Sequence, residues 1–302
     1  GTLGSPLAVA QAEETRDRLM AAHGLPQDAF AIVVIKTTGD RVLDRALSEI
    51  GGKGLFTKEI EDAMLAREID IAVHSMKDMP VEQPAGLVLE CYLPREDVRD
   101  AFVSLRHGGI DDLPQGVVVG TSSLRRKAQL KHRRPDLQVV EFRGNVQTRL
   151  GKLRDGVAEA TFLAMAGLTR LGMLNEVPHA PISDDEMLPA IAQGAIGIEC
   201  REDDERLRAA LAAIHDRDTG LRLAAERAFL AGLDGSCQTP IGGLAELDGD
   251  GGLRLRGEIV RPDGSESLTD EVSGSASDGA AMGAEMAAGL RGRAGPGFFS
   301  EH

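Results

Sequence analysis

Three times between residues 117 and 170 an apolar run ends and gives way within a few residues to a helix start. Val117 to Val119 lead into Gly120, Thr121, Ser122 and Ser123, then a helix opening on Leu124, Arg125 and Arg126. Leu137 to Phe142 lead into Arg143, Gly144 and Asn145, then a helix carrying Arg149. Thr161 to Met165 lead into Ala166, Gly167 and Leu168, with Arg170 just beyond. Strands that alternate with helices predict an α/β fold with parallel strands, whose carboxyl ends share one edge where ligands bind. Helix starts offer free N–H groups to anions, and arginine pairs with carboxylate or phosphate through two parallel hydrogen bonds. A single arginine here would read as an exposed helix residue. Four or five at corresponding junctions predict an anionic ligand in one crevice.

The charge distribution sharpens this expectation. From Thr121 to Arg154 ten basic residues stand against Asp136 and Glu141, while the rest of the 302-residue chain carries 24 basic and 46 acidic residues. A net charge of −14 argues against nucleic acid or an anionic membrane as the main partner. That balance also disfavours TSSLRRKAQLKHRR as a DNA-reading helix. No run is long and apolar enough for a membrane span and no signal segment leads the chain, so a cytoplasmic protein is expected. The three cysteines are far apart and no histidines fall at ligand spacing, so neither a disulfide framework nor a metal site is predicted.

The stretch IDIAVHSMKDMP, from Ile69 to Pro80, sets a short apolar strand against a charged pair. It is predicted as a strand buried in a parallel sheet, with Lys77 and Asp78 just past its carboxyl end. Asp78 is the candidate catalytic group; an ordinary solvated ion pair is the alternative. Upstream, Ser5 and Pro6 mark a helix start, as N-cap and first helical residue, for a helix to about His23. No strand precedes Gly1, so the amino terminus reads as truncated. Ala31 to Ile35 is the next predicted strand. Lys36 to Gly54 follows as a loop over a site, and GGKG within it lacks the spacing of a P-loop. A helix from about Phe56 to Arg67 returns the chain to Ile69.

Leu188 to Cys200 is small and apolar, predicting a buried segment that crosses back to the first domain, with Gln193 and Gly194 breaking it. From about Thr219 the pattern changes to a helix, a Gly-rich loop DGSCQTPIGG, three strands and a helix near Ala280 to Leu290: an antiparallel α+β unit. The tail from Arg291 reads as loose. Cys91 and Cys200 sit in apolar runs, whereas Cys237 lies in that loop, where a thiol is a candidate for covalent chemistry.

Taken in order, these stretches carry a resemblance. GSPLAVAQA from Gly4, GGKGLFTKEIE from Gly51, DIAVHSMKDMP from Asp70, REDVRDAFVS from Arg95 and VGTSSLRRKAQL from Val119 are similar to motifs of the hydroxymethylbilane synthase (porphobilinogen deaminase) family. So are RGNVQTRLGKL from Arg143, LAMAGLTRLG from Leu163, LPAIAQGAIGIECR from Leu188 and GSCQTPIG from Gly235.

The resemblance implies two periplasmic-binding-protein-like α/β domains with a hinged cleft, 1–94 with 190–214 and 95–189, plus a small α+β domain, 215–302, with a three-stranded antiparallel sheet. It implies a dipyrromethane cofactor joined by a thioether to Cys237, four porphobilinogen units condensed onto it with loss of ammonia, and release of hydroxymethylbilane for tetrapyrrole synthesis. By match, Asp78 is catalytic. Arg125, Arg126, Arg143, Arg149 and Arg170 hold pyrrole carboxylates, and Ser5, Lys53, Lys77, Thr121, Ser123 and Gln193 are further binding positions. Phe56 and Lys58 fall in the active-site loop. A monomer without metal is implied. The chain departs from the family at Leu3, where arginine is usual, and weaker activity than in a Leu3→Arg form is expected. The competing reading is a bilobed polycarboxylate binder without catalysis, which would need neither Asp78 nor Cys237.

Overall fold

The computed structural model describes residues 1–37, 57–235 and 239–300. Among these, one compact unit takes in 1–37, 57–96 and 194–220, and the other 97–193, 221–235 and 239–300.

In the first unit, helix α1 (Pro6–His23) begins as the sequence predicts: Ser5 Oγ accepts the Ala8 N–H at 3.2 Å, Pro6 fills the first turn, and Gly24 closes the helix at φ 63°. Helix α2 covers Lys58–Leu65. Strands β1 (Ile71–Ser75) and β2 (Leu87–Tyr92) flank β8 (Ile196–Arg201) in a three-stranded sheet. Both pairings are antiparallel, which corrects the parallel sheet predicted around Ile69 to Pro80. The apolar run reports burial on both faces but not strand direction, because its ladder partner lies more than 120 residues away. On its other side β1 does meet a parallel segment: the Val73 N–H donates to Gly1 O at 3.0 Å, and Thr2 bridges Val34 in parallel. The strand expected from Ala31 to Ile35 is reduced to that single bridge.

Alternation along β1 sends Val73 to one face, with Ala12, Leu19, Ile196 and Ile198, and Ala72 to the other, with Ile60, Met64, Ile69 and Leu87. Leu3 is half-buried against the second cluster. Cys91 and Cys200 are buried on the first, where burial and the neighbouring Cys200 push the Cys91 thiol up to about 12.

The second unit contains a five-stranded sheet. Its strands are β3 (Asp100–Ser104), β4 (Val118–Gly120), β5 (Gln138–Val140), β6 (Ala160–Ala164) and β7 (His179–Pro181), in the order β5-β4-β6-β3-β7. Strands β4, β5 and β6 are parallel, as predicted, and β3 runs antiparallel between β6 and β7. Helices α3 (Leu124–Arg133), α4 (Val146–Arg154) and α5 (Met165–Arg170) leave from the three parallel strands. Phe102 and Phe162, paired across β3 and β6 in a T-shaped contact, face a core with Val119 and Leu130, while Ala101 and Val103 face Leu150, Leu153 and Leu168. Both faces are therefore covered. Helix α6 is Glu205–Ala212 and belongs to the first unit.

Helix α7 (Arg217–Gly232) leads to strands β9 (Ile241–Leu247), β10 (Gly252–Val260) and β11 (Ser267–Ser275), an antiparallel sheet in the order β11-β10-β9. Helix α8 (Gly279–Ala294) closes it. Gly283 lets α7 and α8 approach, since a Cβ there would meet Ala225 O and, at 2.9 Å, Phe229 N. The tail is more ordered than its composition predicts: α8 runs on to Ala294, and Phe298 is buried with Arg261 stacked 5.0 Å from its ring centre.

Gly120 ends β4 against the fully buried Phe142 ring, and a Cβ there would collide with ring carbons. Gly120→Ala is expected to lower stability by roughly 1–3 kcal/mol, measured by urea unfolding; an unchanged midpoint would show that the ring moves aside freely.

Candidate active site

Each unit presents its own set of predicted residues. In the first, β1 runs directly into a short 3-10 turn, Met76–Asp78. Met76 anchors the turn: its sulfur fills the place a Cβ on Gly197 would need, and its N–H donates to Ala195 O at 3.0 Å. With Met76 buried, Lys77 is left half-buried and Asp78 exposed, at the carboxyl end of β1. Ser75 Oγ donates to Gln11 Oε1 at 3.1 Å, tying this strand end to α1, whose start carries Ser5. Beneath the turn lies a pair that pattern reading missed: His74 Nε2 is 2.9 Å from Glu199 Oε2, both buried. Burial raises the pKa of neighbouring Glu61. Lys58 stands at the first position of α2, largely exposed, paired with Asp62 at 2.7 Å. Lys53, Phe56 and Cys237 lie outside the described residues.

In the second unit, the parallel strands bring the three helix starts to one sheet edge. Buried Thr121 accepts the Ser123 N–H through Oγ1 at 3.2 Å, and Ser123 caps α3 by accepting the Arg126 N–H. Asn145 caps α4 through the Thr148 N–H at 2.9 Å. Arg143 is half-buried before that cap, and Arg170, also half-buried, ends α5.

Because β3 is antiparallel to β6, its first residue, Asp100, falls at the edge where β6 ends, paired in register with Ala164. Asp100 is fully buried. Its Oδ2 accepts Arg125 Nη1 at 2.8 Å, and its Oδ1 accepts Arg126 Nε at 2.9 Å and Nη2 at 2.7 Å. Gln193 Nε2 adds a bond to Oδ1 at 3.1 Å and one to Val98 O at 2.8 Å. Burial alone would push the Asp100 carboxyl up, but the two guanidiniums outweigh it and hold it well below the usual carboxylate range. Gln193 is set in turn by Ala192, a non-glycine residue at φ 60°, whose N–H donates to the buried carboxylate of Glu226 at 2.7 Å. Sequence reading missed Asp100 and Glu226. The only feature available to it was an acidic residue beside an apolar run, and no local spacing relates Asp100 to an arginine 25 residues on.

Arg149 differs from Arg125 and Arg126. Its Nε donates to Gly144 O at 2.9 Å and its Nη1 to Phe162 O at 3.1 Å, the carbonyl that also receives Arg126 Nη1 at 3.3 Å. Among the described residues it has no ion-pair partner. Burial, with Arg126 nearby, lowers its pKa to about 10. A cation that has lost water and gained only carbonyls and a second cation is poised for an anion, most simply a carboxylate. Among the described residues no group of His, Cys, Asp and Glu suits a metal ion.

Only protonated Arg149 attracts a carboxylate, so affinity for a dicarboxylate ligand is expected to hold at neutral pH and to fall as pH rises through about 10. Arg149→Gln should weaken binding at neutral pH and remove that alkaline decline, as read by calorimetric titration. A decline that persists unchanged in the variant would assign it to another group.

Residues 1–209 match the family described as porphobilinogen deaminase, dipyromethane cofactor binding domain, and residues 221–292 match porphobilinogen deaminase, C-terminal domain. The chain is 73% identical over 299 residues to porphobilinogen deaminase of Paracoccus denitrificans, covering 99% of this chain and 95% of that one. It is 54% identical to the chloroplastic porphobilinogen deaminase of Pisum sativum, over 99% of this chain and 82% of the other. Among solved structures it is similar to a probable amino-acid ABC transporter extracellular-binding protein of Bacillus subtilis, at 16% identity and a TM-score of 0.41 over 72% of this chain and 86% of that one. With two successive family matches and relatives this similar along nearly their whole length, the chain belongs to the porphobilinogen deaminase family.

Proposed function

We propose that this chain condenses four porphobilinogen units head to tail onto a dipyrromethane primer, with Asp78 as its catalytic carboxylate and Cys237 as the primer's attachment point. The observation that carries the reading is Arg149, a desolvated cation without an acidic partner among the described residues, beside Arg126 at the sheet edge. Every pyrrole of substrate and primer bears carboxylate side chains, so these residues fit the cofactor that the family binds. Arg126, Arg143, Arg149 and Arg170 would hold those carboxylates, with Arg125 steadying the set. Ser5, Thr121 and Ser123 add helix-start donors, and Lys53, Lys77 and Gln193 add polar contacts. Bound dipyrromethane supplies the ring onto which the first substrate unit is added.

The chemistry proper requires the substrate's C–N bond to break with loss of ammonia and a C–C bond to form to the preceding ring, whose α-carbon then gives up a proton. Asp78, exposed at the end of a turn that buried Met76 holds fixed, is suited to this. Its carboxylate would stabilise the positive charge left on the substrate when ammonia departs and accept a proton from a pyrrole nitrogen. Phe56 is assigned to the loop over the site; Lys58, expected in the same loop, instead opens helix α2.

We read the chain as three domains, 1–94 with 190–214, 95–189 and 215–302. The separate five-stranded and three-stranded sheets of the second unit support dividing it. A monomer acting in the cytoplasm is the simplest form of this reading; no helix among the described residues is long and apolar enough to cross a membrane.

Intact mass of the denatured protein tests the attachment. An adduct of two pyrrole units that grows on incubation with porphobilinogen and is missing from Cys237→Ser is expected; an adduct that survives the substitution would place it elsewhere. Asp78→Asn should keep the adduct and lose turnover on the order of 100-fold or more. Near-normal turnover would remove Asp78 from the chemistry.

A further inference from the structure

The cluster at the start of β3 is built differently from a simple row of ligand arginines. Arg125 Nη1 reaches three acceptors: Asp100 Oδ2 at 2.8 Å, Gln129 Oε1 at 2.9 Å and Leu188 O at 2.9 Å. Its Nη2 reaches Asp100 Oδ1 at 3.2 Å. Gln129, one turn along α3, donates to Leu188 O at 3.0 Å and to Glu258 Oε2 of β10 at 2.7 Å. Asp100 thus sits at the centre of one hydrogen-bonded chain that runs from β10 through Gln129 and Arg125, and on to Arg126 and Gln193. Arg126 is the end of that chain nearest Arg149, since the two share the Phe162 carbonyl.

We infer that Asp100 is a positioning residue for the reaction: by gripping Arg125 and Arg126 together, it fixes the direction of the guanidinium that, beside Arg149, receives the carboxylates of substrate and primer. The inference rests on the function proposed above. The carboxylate itself cannot receive a carboxylate ligand, and its full burial keeps it from solvent. Its action is geometric. Asp100 holds Arg126 end-on through Nε and Nη2 while Nη1 donates to Phe162 O, so rotation of Asp100 or loss of its charge would remove two of the bonds that set the guanidinium's direction. The extension through Gln129 makes the same setting sensitive to the C-terminal sheet, because Glu258 lies on the central strand of that sheet and holds the far end of the Gln129 amide.

The test is a double-mutant cycle on protein whose dipyrromethane content has been checked by mass. Asp100→Asn, Arg125→Gln and the double variant are compared with the parent for kcat, KM for porphobilinogen and Tm. The double variant removes one cation together with one anion, so it is suited to folding even where Asp100→Asn alone is not. A positioning role predicts that Asp100→Asn, or the double variant if the single one does not fold, raises KM by about tenfold or more while kcat changes less. It also predicts that the losses of the two single variants do not multiply in the double one. In addition, Gln129→Met should raise KM in the same direction by a smaller factor. Lowered Tm with parent-like KM at a temperature where all variants are folded would reduce Asp100 to a structural role and overturn the inference. Losses in kcat/KM that multiply would overturn it as well. A parent protein that carries no dipyrromethane and does not turn over porphobilinogen would instead refute the function itself.

Discussion

A carboxylate sealed from water between two guanidiniums constrains much of the second unit. Leaving Asp100 buried without its arginines would cost about 3–5 kcal/mol, far more than an exposed ion pair contributes. The geometry can be met only if the start of β3 and the start of α3 arrive at the same sheet edge. An antiparallel β3 among parallel neighbours supplies that arrangement, and the αL residue Ala192, pinned by Glu226, brings Gln193 to the same point. Fold and site are coupled here: the charge that would otherwise repel along the arginine row is partly cancelled, and the remaining cations keep a fixed direction.

How much of this was legible in the sequence follows the range of each interaction. The cap at Ser5, the break at Gly24 and the three strand-to-helix junctions depend on neighbours within a few residues, and the structure has them where the pattern indicates. The arginines were legible for the same reason. Asp100, His74 with Glu199, and Glu226 were not, because each meets its partners across 19 to 125 residues and only the completed topology says so. Strand direction around Ile71 was misread because burial on both faces looks alike in parallel and antiparallel sheets. The ordered tail was missed because its anchor, buried Phe298 under Arg261, has no periodic pattern to announce it. Family motifs, by contrast, carried the site assignments at Lys53 and Phe56, whereas Cys237 was singled out by its Gly-rich loop before any motif was matched.

Unit 1 solves a different problem. It places an exposed carboxylate at the end of a strand by anchoring the residues before it: buried Met76 against Gly197, buried His74 against Glu199, and half-buried Ser75 against Gln11. The rigidity of Asp78 is therefore borrowed from β8, not from its own sequence neighbourhood. Substitution at Gly197, remote in sequence from any charged site residue, would disturb the turn directly.

That dependence on β8 has a consequence in time. Strands β1 and β2 do not pair with each other; both wait for a strand more than 100 residues further along the chain, more than 120 in the case of β1. During synthesis on the ribosome, at about 5–20 residues per second, the amino-terminal part spends several seconds with unfilled ladder positions while the whole five-stranded sheet of the other unit emerges and can close first. The middle of the chain can therefore close before its ends, which would leave the β2 edge without its ladder partner in the meantime.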